Sequence, residues 1–174
     1  MTTLPPALAA TALPESLMVN TGAMPFADDF GAPGVRMQVL HCDVDAGMFA
    51  VRILFAPGVQ LPPHHHTGTV HAWTMRGEWT YLEHGDAPPN TAGSYLYEPA
   101  GTTHTLKIAD HNTGETDVFF IIYGAMLILD AQGKVEFILD AKTHLNGWPA
   151  ALRAQGKPVP AMVQGGSVRY TQEG

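Results

Sequence analysis

The chain has 174 residues, about the length of one domain, with 45% hydrophobic and 14% charged residues. Its formal net charge of −7 argues against nucleic acid or an anionic membrane as the main partner, because both surfaces are negatively charged. Cys42 is the only cysteine, which excludes an intrachain disulfide. The first basic residue is Arg36, so the N-terminus lacks the charged start of a signal peptide, and we expect a cytoplasmic protein.

Residues 1–34 are predicted to form an N-terminal arm. This segment is apolar but contains Pro5, Pro6, Pro14, Pro25 and Pro33. Prolines at this frequency forbid a long helix, so we expect an arm with one or two short strands. Such an arm more often packs on its own barrel or on a partner subunit than binds a ligand. A homodimer or homotetramer is therefore expected.

Residues 35–140 show the pattern of an all-β protein. About ten short stretches rich in β-forming residues are separated by glycine, proline and asparagine turns. The longest apolar stretch, Val118 to Leu129, contains Gly124 and is too short to span a bilayer, so it is interpreted as two strands around a bend. Short strands at this spacing favour a closed barrel or jelly roll over a parallel sheet with helices.

Residues 141–174 differ from the rest of the chain. Thr143 to Gln155 has apolar residues at helical spacing and ends before Gly156, so a short helix that caps the barrel is predicted. The remaining residues contain two prolines and the pair Gly165-Gly166, which indicate an irregular tail. The arm, the barrel and this C-terminal segment are expected to make one domain.

Two histidine-bearing motifs lie between residues 58 and 104. Side chains two apart on a strand point to the same face, so His64 and His66 can approach one point from one wall. His104, on another strand, could complete a site of three imidazoles that leaves coordination positions free. The spacings are Gly58-x5-His64-x-His66 with Gly77 following, and Gly93-x5-Pro99-x-Gly101-x2-His104.

These paired motifs resemble those of the cupin superfamily, which implies a cupin-type jelly-roll β-barrel that binds a metal ion. The first motif of that family normally carries a glutamate ligand after its second histidine. Here that place falls on Val70 or on His71, depending on the direction of counting, and neither is a carboxylate. This departure leaves His64, His66 and His104 as the predicted metal ligands.

Ligand type alone does not choose the metal, because imidazole binds Fe, Zn, Cu and Ni. Three neutral imidazoles leave a divalent ion with its full charge, which favours an anionic, chelating substrate such as an enolate. Bidentate binding would still leave a position for O2 in a six-coordinate ion. We therefore expect Fe(II) as the cofactor, and Zn or Ni could occupy the same site in a purified sample.

A closer resemblance covers roughly residues 17–140. Val19 to Pro25, Leu61 to His71 and Tyr95 to Pro99 resemble the 2,4′-dihydroxyacetophenone dioxygenases and their relatives. That family implies a three-histidine non-haem iron that uses O2 to split the bond between a carbonyl carbon and a hydroxymethyl carbon. Acetylacetone-cleaving cupins use a similar centre. The resemblance implies an oxygen-dependent enzyme of aromatic catabolism whose partners are a small ketone and O2.

Several other residues are candidates for the site. Glu98 is the nearest carboxylate in sequence and could accept a proton, orient a histidine or act as a weak ligand. A surface glutamate is the alternative. Trp79, Tyr81, Tyr97 and His71 could line a substrate pocket, although core packing explains the aromatic residues as well. By strand alternation His65 points away, and His41, His84, His111 and His144 are expected on the surface.

Three alternatives to the dioxygenase stay open. The first is a zinc-binding regulatory or sensory cupin of the anti-sigma-factor type, which normally adds a helical partner-binding domain. The second is a metal-dependent isomerase or hydrolase that acts on a small polar molecule. The third is a binding barrel without a metal.

Overall fold

The computed structural model describes residues 18–165. Residues 1–17 of the predicted arm and 166–174 of the predicted tail lie outside the described residues. Within the described range the all-β prediction is confirmed, since thirteen strands accompany one α-helix. The elements are β1 (Val35–Asp43), β2 (Met48–Phe55), β3 (His64–His66), β4 (Val70–Arg76), β5 (Glu78–Tyr81), β6 (Asn90–Thr91), β7 (Tyr95–Glu98), β8 (Thr103–His104), β9 (Leu106–Ile108), β10 (Thr116–Tyr123), β11 (Met126–Leu129), β12 (Val135–Leu139), α1 (Ala141–Ala154) and β13 (Val163–Gly165).

The strands form three hydrogen-bonded sheets in a jelly roll. The largest sheet has the order β13-β1-β2-β10-β4-β7, the second β12-β11-β3-β8 and the third β6-β5-β9. The described residues therefore do not form one continuously hydrogen-bonded barrel. All the pairings are antiparallel except that between β1 and β13. The site strands β3 and β8 lie together at one edge of the second sheet.

The hydrophobic core lies against the inner face of the largest sheet. β1, β2 and β10 pair along most of their lengths, so their inward side chains meet in one cluster. Each large apolar side chain buried in this way contributes roughly 1.5–3 kcal/mol to folding. The most deeply buried include Val39, Phe49, Val51, Phe55, Val118 and Trp79.

Glycines allow two of the close chain reversals that shape the sheets. Gly77, between β4 and β5, has φ of 84°, and a Cβ there would lie 2.8 Å from the Cα of Thr116. Gly124, between β10 and β11, has φ of 72° and lies against the backbone of Gly68. The predicted bend inside the stretch from 118 to 129 is therefore confirmed.

The described part of the arm packs on β1 and on the segment that follows α1. Ala27 forms an isolated bridge with Met37, and a 3-10 turn covers Thr21–Ala23, so this part contains a bridge rather than a full strand. The buried amide of Gln38 donates hydrogen bonds to two carbonyls of the arm. Lys157 donates to the carboxylate of Asp28, which ties the arm to the C-terminal segment.

The predicted helix is confirmed, although α1 begins two residues earlier than expected. Asp140 and Thr143 form a reciprocal capping box, which stabilises the first turn. His144, Trp148 and Leu152 form its buried face, and the indole of Trp148 donates to the carbonyl of Met37. The expected irregular tail is corrected at β13, which pairs in parallel with the end of β1.

No helix in residues 18–165 combines the length and the apolar character that crossing a bilayer requires.

Candidate metal centre

The three predicted ligand histidines lie side by side on two neighbouring strands. His64 and His66 occupy alternate positions of β3 and are both buried. β8 pairs with β3 and places His104 directly opposite His64. The ring centroids are 5.0, 4.7 and 5.2 Å apart, and one ring nitrogen from each lies within 4.8 Å of the other two. This arrangement places three donors around a single point.

Hydrogen bonding leaves nitrogen lone pairs available at this point. Nδ1 of His64 lies 3.0 Å from the carbonyl oxygen of Pro62; because a carbonyl only accepts, Nδ1 carries the proton and Nε2 keeps its lone pair. Nε2 of His104 is buried without a hydrogen-bond partner among the described residues. His66 also has a buried nitrogen without a partner, Nδ1, while its Nε2 lies near the same carboxylate as Nε2 of His104. Buried polar atoms without partners are costly, so a bound cation fits these three residues.

The three rings are neutral at pH 7. Burial lowers the pKa of His64, and it lowers the pKa of His66 to about 2 and that of His104 to about 3. The carboxylate of Glu98 lies 3.6 Å from Nε2 of His66 and 3.3 Å from Nε2 of His104. Because neither ring is protonated at these pKa values, these contacts are not ion pairs with imidazolium. They place a carboxylate oxygen beside two nitrogens that can bind a metal.

Glu98 belongs to β7, the strand that pairs with β4. The cupin motif places its carboxylate on the strand that corresponds to β4. Glu98 lies at the end of β7, directly opposite Val70 of β4, and both side chains are buried. Val70 therefore occupies the inward position at which the first cupin motif normally carries glutamate. The carboxylate comes from the adjacent strand, as side chains of directly paired residues share one face of a sheet.

Tyr81 connects Glu98 to His104. Its hydroxyl donates a hydrogen bond to Oε1 of Glu98, and its ring stacks on the His104 ring with centroids 3.7 Å apart. Burial raises the pKa of Glu98 to about 7, although the hydrogen bonds from Tyr81 and Thr102 act in the opposite direction. Burial, and next the nearby charge of Glu98, raise the pKa of Tyr81, so the phenol stays protonated. In the metal-free protein Glu98 can thus exchange a proton near neutral pH while Tyr81 holds its carboxyl group in place.

Two adjoining cavities border two of the three histidines, His64 and His66. The inner cavity, of about 50 Å³, has His64, His66, Tyr81 and Glu98 along its wall. The outer cavity, of about 180 Å³, also borders His64 and extends between β11, β12 and the loop at residues 30–32. Apart from these groups and His144, the walls are apolar, with Phe49, Phe55, Phe120, Leu61, Ile53 and Met126 among the lining residues. The space beside the histidines therefore suits a hydrophobic small molecule better than a polar one.

The other predicted pocket residues do not all reach this space. Trp79 is a core residue whose indole donates to the hydroxyl of Thr74, and it borders neither cavity. His71 and Tyr97 lie on the outer face of the largest sheet, so their expected pocket role is corrected. Strand alternation explains this, because their neighbours Val70 and Glu98 point inward. They belong to an exposed group that we call the outer aromatic cluster, formed by His71, Trp73, Tyr95, Tyr97 and Tyr123.

Sequence reasoning missed His144. This histidine, expected on the surface, is buried in α1 and borders both cavities. The signal was its spacing, since His144 lies four residues before Trp148 and eight before Leu152, on the apolar face of the helix. His65 points away from the centre as expected, and its Nδ1 lies 2.8 Å from the hydroxyl of Thr103. His84 and His111 are exposed as expected, whereas His41 is half-buried.

Comparison with known proteins supports the cupin resemblance. A family model described as the ChrR cupin-like domain matches residues 14–127. A structure of a cupin-like protein of unknown function from Ralstonia eutropha JMP134 is 34% identical, with a TM-score of 0.84, covering 93% of this chain and 99% of that chain. No curated protein sequence matches this chain.

More distant structures share the fold. An RmlC-like cupin from Ralstonia eutropha JMP134 is 26% identical, with a TM-score of 0.77, covering 86% of this chain and 94% of that one. An acetylacetone dioxygenase from Acinetobacter johnsonii is 19% identical, with a TM-score of 0.66, covering 81% of this chain and 95% of that one. At 19% identity, the similarity to the acetylacetone dioxygenase concerns the fold alone.

Proposed function

This chain belongs to the ChrR cupin-like domain family, and on that premise we propose that it is a non-haem Fe(II)-dependent dioxygenase. The proposed reaction cleaves the bond next to the carbonyl of an aromatic α-hydroxyketone or a similar chelating ketone. One observation carries the proposal. Three buried neutral imidazoles meet at one point, and two of them, His64 and His66, border an apolar cavity beside the carboxyl group of Glu98.

His64, His66 and His104 would hold the metal, with Glu98 as a neighbouring carboxylate. Bound Fe(II) supplies reducing electrons for O2 and a positive charge that favours a chelating ketone. For an α-hydroxyketone the reaction balances as one ketone and one O2 giving a carboxylic acid and formate. The bond between the carbonyl carbon and the hydroxymethyl carbon breaks, and each of these carbons gains one oxygen atom.

Glu98 is the proposed general base. Its carboxylate can accept a proton from the hydroxyl or the α-carbon of the ketone and release it later in the cycle. Burial raises its pKa to about 7 in the metal-free protein, and a bound divalent cation would lower it again and favour the carboxylate form. Tyr81 positions the carboxyl group through its hydrogen bond to Oε1. Apolar side chains such as Phe49 and Phe120 line the cavity and exclude water from the reacting atoms.

The structural neighbours add limited support for this reaction. The acetylacetone dioxygenase from Acinetobacter johnsonii has the same fold, and acetylacetone is itself a chelating diketone. The apolar lining also argues against the alternative of an isomerase or hydrolase that acts on a small polar molecule. A polar substrate would lose its hydration there without finding hydrogen-bond partners along most of the wall.

A zinc-binding regulatory cupin is the second candidate. The family description names ChrR, and three imidazoles accept zinc as readily as iron. A closed site would suit a purely structural ion, whereas His64 and His66 border open space. The two candidates differ in whether the protein consumes O2.

The deciding experiment measures metal content and then O2 uptake. Protein purified without added metal is analysed for bound metals, reconstituted anaerobically with Fe(II) and mixed with O2 and 2-hydroxyacetophenones or β-diketones. We expect uptake of one O2 per ketone cleaved. Stoichiometric zinc, with no uptake after exchange for iron, would reject the dioxygenase in favour of the regulatory cupin.

A variant assigns the role of the carboxyl group. Glu98→Gln removes the base but keeps the shape of the side chain, so turnover is expected to fall about 100-fold or more while iron is still bound. Tyr97→Phe is the matched control, because Tyr97 is the preceding residue of β7 and lies on the outer face. Its turnover should equal that of the unmodified protein.

A further inference from the structure

His144 is a polar group on the wall of both cavities and is not one of the metal-site residues. It projects from the first turn of α1, and only 2% of its surface is exposed. Its ring stacks on Phe49, with centroids 4.2 Å apart and an interplanar angle of 18°. It borders the inner and outer cavities together with His64, so one ligand in this space can contact the metal site and His144.

Hydrogen bonding sets the tautomer of this ring. Nδ1 of His144 lies 2.7 Å from the backbone carbonyl oxygen of Asp140. A carbonyl oxygen can only accept, so Nδ1 carries the proton. Burial lowers the pKa of His144, and the positive end of the helix dipole also disfavours a second proton. The neutral ring therefore has a lone pair and no hydrogen on Nε2.

Nε2 is thus a hydrogen-bond acceptor on a wall whose other polar groups all belong to the metal site. Its ring face is covered by Phe49 and its other nitrogen is engaged by Asp140, and no described residue donates a hydrogen bond to Nε2. A ligand that covers this acceptor without donating to it would lose free energy, which a donor on the ligand avoids. A cationic donor would lose its hydration among apolar side chains, so a neutral hydroxyl fits best.

We propose that His144 binds the substrate, by accepting a hydrogen bond from a hydroxyl group that lies away from the metal-chelating oxygens. This inference rests on the proposed function, because it takes the chelating end of the ligand to lie at His64, His66 and His104. It makes His144 a specificity-determining residue. Ketones with a suitably placed ring hydroxyl are selected over ketones of the same size that lack a donor.

The test measures binding, not turnover. Protein loaded with Zn(II), which does not activate O2, is titrated calorimetrically with 2-hydroxyacetophenones that carry a ring hydroxyl or a fluorine at the same position. Fluorine is smaller than hydroxyl and cannot donate. The hydroxyl compound is expected to bind about tenfold more tightly, the upper range for one hydrogen bond. In His144→Phe, which keeps an aromatic ring against Phe49, the two compounds should bind within about twofold.

Three further variants make the outcome decisive. His144→Gln retains an acceptor and should keep part of the preference. His144→Leu lacks an acceptor and replaces the Phe variant if that one fails to fold. His71→Phe, on the outer face, should keep the full preference. Equal binding of both compounds by the unmodified protein, binding of neither compound, or a preference that survives in His144→Phe would each overturn the inference.

A parallel measurement of O2 uptake by the Fe(II)-loaded protein separates the two proposals. A preference for the hydroxyl compound without any uptake would reject the dioxygenase and keep the role of His144. Uptake with both compounds, at equal affinity, would keep the dioxygenase and reject the role of His144.

Discussion

The two histidine-containing aromatic clusters of this protein use similar residues but differ in what surrounds them. In the metal centre, His104 stacks on Tyr81, both residues are buried, and a nitrogen of His104 has no hydrogen-bond partner among the described residues. In the outer aromatic cluster, His71 is half-buried and its Nδ1 lies 2.8 Å from the hydroxyl of Tyr95. The difference shows that desolvation, rather than residue type, makes an imidazole available to a cation.

A shift of one residue along paired strands separates the two environments. Val70 and Glu98 pair with each other and point inward, whereas the adjacent pair His71 and Tyr97 points outward. The same two strands thus present a carboxyl group with a raised pKa to the interior and an aromatic surface to the outside. Variants on the two faces of these strands can therefore serve as matched pairs.

The largest expected difference between the clusters is in metal affinity. His104→Ala leaves two imidazoles on one strand, and these two cannot enclose a cation. The affinity for Fe(II) or Zn(II) should therefore fall at least about 100-fold. Removing a residue that only supports a ligand costs up to about this much, and removing a ligand itself should cost no less. His71→Ala, the control on the outer face, should leave affinity unchanged. Competition with a chromophoric chelator measures both. Equal affinity in His104→Ala and the unmodified protein would show that the metal binds elsewhere.

The second expected difference is in the response of the metal-free protein to acid. Burial lowers the pKa values of His64, His66, His104 and His144 below the ordinary 6.5. Below about pH 6.5 the unfolded chain therefore binds protons that the folded chain does not, and the free energy of unfolding decreases. Glu98 opposes this, because its pKa is raised to about 7 and the folded state binds its proton first. The four histidine rings together lower the free energy of unfolding by more than the single carboxyl group raises it.

Thermal unfolding of the metal-free protein between pH 7.5 and 5.5 measures this effect. The melting temperature should fall steadily as the pH decreases below about 6.5. His144→Phe removes one of the buried rings and should make the dependence shallower, while His71→Phe should leave it unchanged. A melting temperature that stays constant or rises as the pH decreases from 7.5 to 5.5 would contradict the assignment of neutral buried rings.

Much of the fold was predictable because its local signals agree with its tertiary structure. Glycine turns separate short β-rich stretches, and apolar spacing marks α1. The strand β13 was not predictable, as three residues near a glycine pair carry no pattern of their own. Its pairing with β1 joins residues more than 120 positions apart, and such contacts leave no local trace in one sequence.

The cluster of three histidines was predictable for a similar reason, while its surroundings were only partly so. Alternation on β3 and the turn before β8 place His64, His66 and His104 together. Alternation also forbids Tyr97 and Glu98 from facing the same side of a regular strand, so only one of them could reach the site. The position of His144 beside the cavities depends on how α1 packs over them. One sequence does not show where the helix docks.

The smallest expected effect concerns the outer aromatic cluster itself. Tyr95→Phe removes the hydrogen bond to His71 but keeps the ring, which is 53% exposed. Because water can replace the lost partner, the free energy of unfolding should change by less than about 1 kcal/mol. Metal affinity and O2 uptake should not change, since the phenol lies on the opposite side of the sheet from Glu98. Chemical denaturation measures the first quantity, and chelator competition the second. A large loss of metal affinity in this variant would show that the two faces of β4 and β7 are coupled, and the separation of the clusters would then be wrong.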